Sequence, residues 1–129
     1  MRHQFRTAYS TPVYAETLEF YADGLEFPVV ESWDHGPNDR GTLFGAFSGI
    51  IEVLALPEKP EEDPSWDHRA PQGVSIVIEV EDVDDLHAKA IDHQLPVKES
   101  IRNQPWGHRS FLLLIQTMLR SISIQRISR

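Results

Sequence analysis

The chain has 129 residues, 40% of them hydrophobic and 25% charged, enough for one packed core and too few for two. Its 20 Asp/Glu outnumber its 12 Lys/Arg for a net charge of −8; such a body repels a phosphate backbone, so no nucleic-acid partner is expected. Without cysteine it has no disulfide, no thiolate metal site and no thiol nucleophile. With no apolar leader in MRHQFRTAYS and no apolar run near the ~18 residues of a membrane span, it reads as a cytoplasmic protein with no membrane partner.

Taken in chain order, FRTAYS reads as a short strand and TPVYAETLEFYADGL as a helix, with Thr11 as N-cap, Pro12 at the tolerated first position and Gly24 as the stop. EFPVVESW is a second strand and DHGPNDRG a turn, while TLFGAFS and GIIEVLAL are two further strands joined at Ser-Gly. A Pro- and acid-rich linker without periodicity follows over 57–72. GVSIVIEV then alternates, with Val74, Ile76, Ile78 and Val80 on one face and Ser75, Val77 and Glu79 on the other. EDVDD suits the positive end of a helix running to Ile91. LPVKES is a strand, RNQPWG a turn and HRSFLLL another strand. The predicted organisation is therefore module one over 5–56, linker, and module two over 73–129, each βαβββ if the tail supplies the last strand.

The halves also share residues. LEFYADGLEFPVVES (18–32) lies over LHAKAIDHQLPVKES (86–100), matching Leu18 with Leu86, Ala22 with Ala90, Pro28 with Pro96, Val29 with Val97, Glu31 with Glu99 and Ser32 with Ser100. With LEFYADGLEF in the first half and PWGHRSFLLL in the second, the chain resembles the glyoxalase/bleomycin-resistance/extradiol-dioxygenase superfamily over residues 5–114. The resemblance implies an α+β fold of two βαβββ modules, whose cupped mixed sheets surround a cavity and carry their helices on the outer faces, often in a homodimer. It implies much less about the reaction, because the fold hosts metal lyases, dioxygenases, thiol transferases and metal-free drug-binding proteins.

In the family's metalloenzymes the ligands come from the first and last strands of each module. Those positions fall here on Arg6 or Thr7, Glu52, Ser75 or Val74, and Ile122 or its neighbours. Only Glu52 has the chemistry of a ligand, so no metal and no other cofactor is expected. Glu52 is either a solvated or Arg-paired residue, or a cavity carboxylate that meets a polar or cationic ligand. Arg6 stands where it could neutralise Glu52.

Trp33, Trp66 and Trp106 could stack on a flat ligand, with Phe44 as a further aromatic wall; Trp106 could equally only cap its turn. Arg109 could hold an anionic group or serve in a structural ion pair. The six histidines form no catalytic pattern. The expected function is metal-independent binding of a small polar or cationic organic molecule in the cavity between the modules, through Glu52, Arg6, Ser75, Trp33, Phe44, Trp106 and Arg109, in a homodimer. The competing readings are a metal-dependent lyase or dioxygenase of the same superfamily and a non-catalytic dimerising module.

The tail 115–129 is atypical: it has three Arg and no acid, Gly or Pro, where relatives carry an acidic turn before the last strand. One permitted set of codons for it, with a single G restored in front, translates as Asp-Pro-Asp-Asp and then an alternating strand, so the tail reads as out of frame. If it is instead the natural terminus, Ile122 and Ile124 can still alternate with Ser121, Ser123 and Gln125 in a weakly registered strand.

Overall fold

The computed structural model describes residues 4–47, 49–57, 59, 62, 74–115 and 121–127. Module one runs β1 (Phe5–Thr11), α1 (Tyr14–Glu19), a π-helical turn (Phe20–Gly24), β2 (Val29–Asp34), β3 (Arg40–Ala46) and β4 (Gly49–Ala55). Module two runs β5 (Ser75–Glu79), α2 (Val83–Asp92), β6 (Val97–Asn103), β7 (His108–Leu114) and β8 (Ser121–Ile127). The strands form two four-stranded mixed sheets, ordered β1-β4-β3-β2 and β5-β8-β7-β6, with β1 parallel to β4 and β5 parallel to β8. Most of the linker, including Trp66, lies outside the described residues.

Several boundaries differ from the expectation for local reasons. Thr11 is the last residue of β1 and not the helix cap, which is Val13. Its hydroxyl still serves the helix entrance, accepting the Val13 N–H at 3.1 Å and lying 3.1 Å from Thr17 Oγ1. After one and a half turns α1 widens, and Leu25 N–H donates to Phe20 O at 3.1 Å, five residues back. The π turn delivers Tyr21 into the core, fully buried, with its hydroxyl 2.7 Å from that of Tyr9. Burial and the neighbouring phenol push the Tyr21 pKa well up, so it stays a neutral hydroxyl. β2 starts only at Val29 because Glu26 takes a left-handed conformation, φ 58°. At α2 the expected acidic start is present: Asp82 caps the helix by accepting the Asp85 N–H at 3.0 Å.

The repeat extends to the strand pairing. Val29 pairs with Phe44 but Glu31 with Leu43, a bulge in β2; Val97 pairs with Leu113 and Glu99 with Leu112, the same bulge 68 positions on. A second bulge between Glu99 and Arg102 inserts one residue in β6, so that Trp33 opposite Gly41 corresponds to Arg102 opposite Ser110.

The tail forms β8, which lies inside its sheet between β5 and β7. Ile122 and Ile124 are fully buried, each in register with an apolar residue of β5 and of β7.

Each helix covers one face of its own sheet, and the helix-bearing sides meet. A single core joins Tyr9, Tyr21, Phe44 and Val53 of module one to Ile78, Leu86, Phe111, Leu113 and Ile124 of module two. Across the junction Glu26 reaches Lys89 and His93, and Gly24 lies so close to Leu95 that an added Cβ would stand 2.7 Å from its side chain.

Candidate functional site

The open face of module one is built from alternate residues of all four strands. Register places Arg6 beside Ile50; Ala8, Glu52, Leu43 and Glu31 in the next row; and Ser10, Leu54, Gly41 and Trp33 in the third. Their neighbours Tyr9, Thr11, Phe44, Ile51 and Val53 turn into the core, as period-two alternation demands. Arg6 Nη1 donates to Glu52 Oε1 at 3.0 Å, and the side chains are 53% and 16% exposed. Glu52 is therefore partly sheltered, while its cation stands at the mouth of the face. Trp33 lies flat over Gly41: any β-carbon there would overlap the indole ring. Trp33 Nε1–H donates to Asp39 Oδ1 at 3.0 Å, which fixes the plane of the ring, and Asp39 Oδ2 meets His35 Nδ1 at 3.1 Å.

The open face of module two carries Ser75, Val77 and Glu79 from β5, Ser123 and Gln125 from β8, and His108, Ser110 and Leu112 from β7. His108 Nδ1 lies 2.8 Å from Gln125 Oε1, and Trp106, largely exposed, sets its ring edge-on to the imidazole at 6.5 Å. Gln104 Nε2 donates to Ser110 Oγ at 3.0 Å beneath them. No local signal in the sequence marks this polar patch, because its members come from three strands and a turn and only their pairing assembles them.

Of the expected residues, the structure brings Arg6, Glu52 and Trp33 onto one face and places Ser75 and Trp106 with the second module. Phe44 is fully buried on the helix side of β3, 5.2 Å from the Tyr21 ring, so it packs the core and lines no open face. Arg109 also points to the helix side. It grips Asp84 of α2 with Nε and Nη2, at 2.8 to 3.2 Å, and donates Nη1 to Asn103 Oδ1 at 3.1 Å. That fork-to-carboxylate pair holds the Asp84 carboxyl below its ordinary pKa and fastens α2 to its sheet. His87 packs its ring on Phe111 at 5.0 Å.

Among the described residues the donor set at the family's ligand positions does not fit a divalent ion. Among the described residues no three His, Asp or Glu side chains converge as ligands. Glu52 is engaged by Arg6, and the place in module two equivalent to Glu52, between β5 and β7, is held by Ser123 with Ile122 turned into the core. Among the described residues no helix is long and apolar enough to cross a membrane.

Comparison with known proteins agrees with this architecture. TioX from Micromonospora sp. ML1 superposes with a TM-score of 0.76 at 13% identity, over 98% of this chain and 100% of that one. A glyoxalase/bleomycin resistance protein/dioxygenase from Alicyclobacillus acidocaldarius gives 0.69 at 16% identity, over 100% and 96%. A lactoylglutathione lyase from Agrobacterium tumefaciens gives 0.68 at 16%, over 98% and 94%. At such identities the likeness is one of fold. No curated protein sequence matches. The family model of the Glyoxalase/Bleomycin resistance protein/Dioxygenase superfamily matches residues 4–117, ending as the atypical tail begins, and the chain belongs to that superfamily.

Proposed function

We propose that the protein binds a small polar or cationic organic molecule on its open sheet faces without a metal. The observation that carries this reading is the Arg6–Glu52 pair: a guanidinium 3.0 Å from the one ligand-like carboxylate supplies fixed positive charge where a metal would otherwise sit. Trp33, held flat by Asp39 and Gly41, offers an aromatic platform in the row next to Glu52. Glu31 shares the Glu52 row and adds a second carboxylate to the face.

A second copy of the chain would supply an opposite wall to these faces. Exposed apolar residues on module two support this, with Val77 54% exposed and Leu114 39%. In such a homodimer Arg6, Glu52 and Trp33 of one chain would face Ser75, His108 and Trp106 of the other. A cytoplasmic location accords with the cysteine-free composition.

Metal analysis of protein purified without a chelating tag tests the reading. Bound metal below a tenth of stoichiometric is expected, whereas stoichiometric metal that disappears in Glu52→Ala overturns it. Thermal-shift screening against organic cations and organic acids should then find a stabilising ligand, since a molecule that binds only the native state raises the melting temperature. Loss of that shift in Glu52→Ala and Trp33→Ala places it on this face.

A further inference from the structure

We propose a second small-molecule site, for an organic cation with an apolar body, in the cleft where the two modules meet. It is distinct from the open face of module one, since neither Arg6, Glu52 nor Trp33 lines it, and it touches that of module two only through Glu79 at the end of β5. The cleft encloses about 890 Å³, between the segment that follows α1 and the end of β3 on one side and the end of β5 and start of α2 on the other. That volume suits a small organic molecule, and junctions between folded units are where such sites concentrate.

Its inner wall is apolar. Leu25, Phe27 and Leu86 are buried core residues whose edges reach the cleft. Phe47 completes the wall, its ring edge-on to Phe27 at 5.9 Å. Phe47 is unusual twice over: it is 58% exposed and its φ is +63°, a conformation that a bulky side chain rarely takes. An aromatic ring in water on a strained backbone is costly to folding, and a glycine at this turn would relieve the strain.

The rim is anionic. Among the described residues five carboxylates line the cleft, from Glu26, Glu79, Glu81, Asp82 and Asp85, against one ammonium, that of Lys89. Lys89 is already shared between Asp85 at 3.3 Å and Glu26 at 3.9 Å. A cation with an apolar body satisfies both parts: its charge sits among the carboxylates and its body covers the Phe27 and Phe47 rings, where a cation gains further from the aromatic face. An anion of the same shape meets repulsion.

Calorimetric titration at low salt with three probes tests this. The probes are 2-phenylethylammonium, 3-phenylpropionate and argininamide, which respectively supply cation and ring, anion and ring, and charge without a ring. Saturable binding of 2-phenylethylammonium is expected, at least about tenfold tighter than either of the others and weakening as salt rises. Phe47→Gly should weaken it about tenfold while the melting temperature holds or rises, a combination that a purely structural Phe47 would not produce. Glu81→Gln should weaken it a few-fold, and Glu52→Ala should leave it unchanged. Equal affinity for the propionate, or full affinity in Phe47→Gly, overturns the proposal. So does loss of binding in Glu52→Ala, which would place the probe on the open face instead.

Discussion

Replacing Ile124 by alanine is the most direct measure of whether the basic tail is a structural strand. Ile124 is fully buried, paired by register with Ile78 of β5 and Phe111 of β7. The substitution removes three carbons, about 0.8 kcal/mol each in transfer free energy, and leaves a cavity in a sheet held on both sides, for a total of about 2.5–4 kcal/mol. A domain of this length has about 6–19 kcal/mol of stability in all. With a urea slope of about 2 kcal/mol/M, the unfolding midpoint should fall by about 1–2 M. Ser123→Ala, one residue away on the open face, should change stability by less than about 0.5 kcal/mol. Equal effects of the two substitutions, or less than about 1 kcal/mol for Ile124→Ala, would refute the seating of β8 and the packing argument with it.

Other outcomes follow from single contacts. Gly41→Ala should lift the Trp33 ring and break its bond to Asp39, costing about 0.5–1.5 kcal/mol. In a Trp66→Phe, Trp106→Phe background it should shift the Trp33 emission to the red; unchanged emission would mean that the ring does not rest on Gly41. The Arg6–Glu52 pair is half in solvent, so Glu52→Gln should alter stability by less than about 1 kcal/mol, and a larger loss in denaturant unfolding would show a structural role instead. Asp84 has a depressed pKa in the folded state, so its contribution is present above its ordinary value of 3.8 and is lost as pH falls through the lower folded value. Asp84→Asn should therefore melt below the parent at neutral pH and approach it in strong acid, and a gap that stays constant with pH would contradict the pairing. The coding DNA is expected to read, after one restored base ahead of codon 115, as an acidic turn followed by a strand. Codons that give neither rule out a shifted frame.

Much of the fold was legible because its signals are local. Alternation in SIVIE and the acidic start of α2 each report on a few neighbouring residues, and β7 spans the seven residues that HRSFLLL implied. The repeat was legible because the bulges in β2 and β6 conserve the spacing of Val and Glu between the modules. The start of α1 was misjudged, since Thr11 has both the hydroxyl of a cap and the β-branch of a strand residue, and pairing with Ala55 in β4 decides for the strand. The π turn at Phe20 leaves no local mark, because the burial of Tyr21 selects it.

Site residues divide along the same line. Glu52 stands out in any reading, as an acid in an apolar run, and Arg6 follows from it; a contact over 46 positions then depends only on β1 lying parallel to β4 in the right register. Phe44 was misplaced, and of the two roles open to Arg109 the structural ion pair is the one found, because an aromatic or a guanidinium suits a cavity as well as a core or a helix clamp, and the pleat alone settles which face each takes. The same rule governs the tail. In the permitted shifted-frame translation an Ile-Tyr-Leu-Tyr run stands at 121–124, so in the present register two tyrosines would replace the buried isoleucines and the aliphatic pair would turn outward. β8 as it stands buries its isoleucines and turns Ser123 and Gln125 outward, so the polar patch with His108 and Ser110 exists only in this register. The chemistry of the second open face is therefore tied to the phase of a single strand, and a ligand that contacts both faces would sense the tail directly.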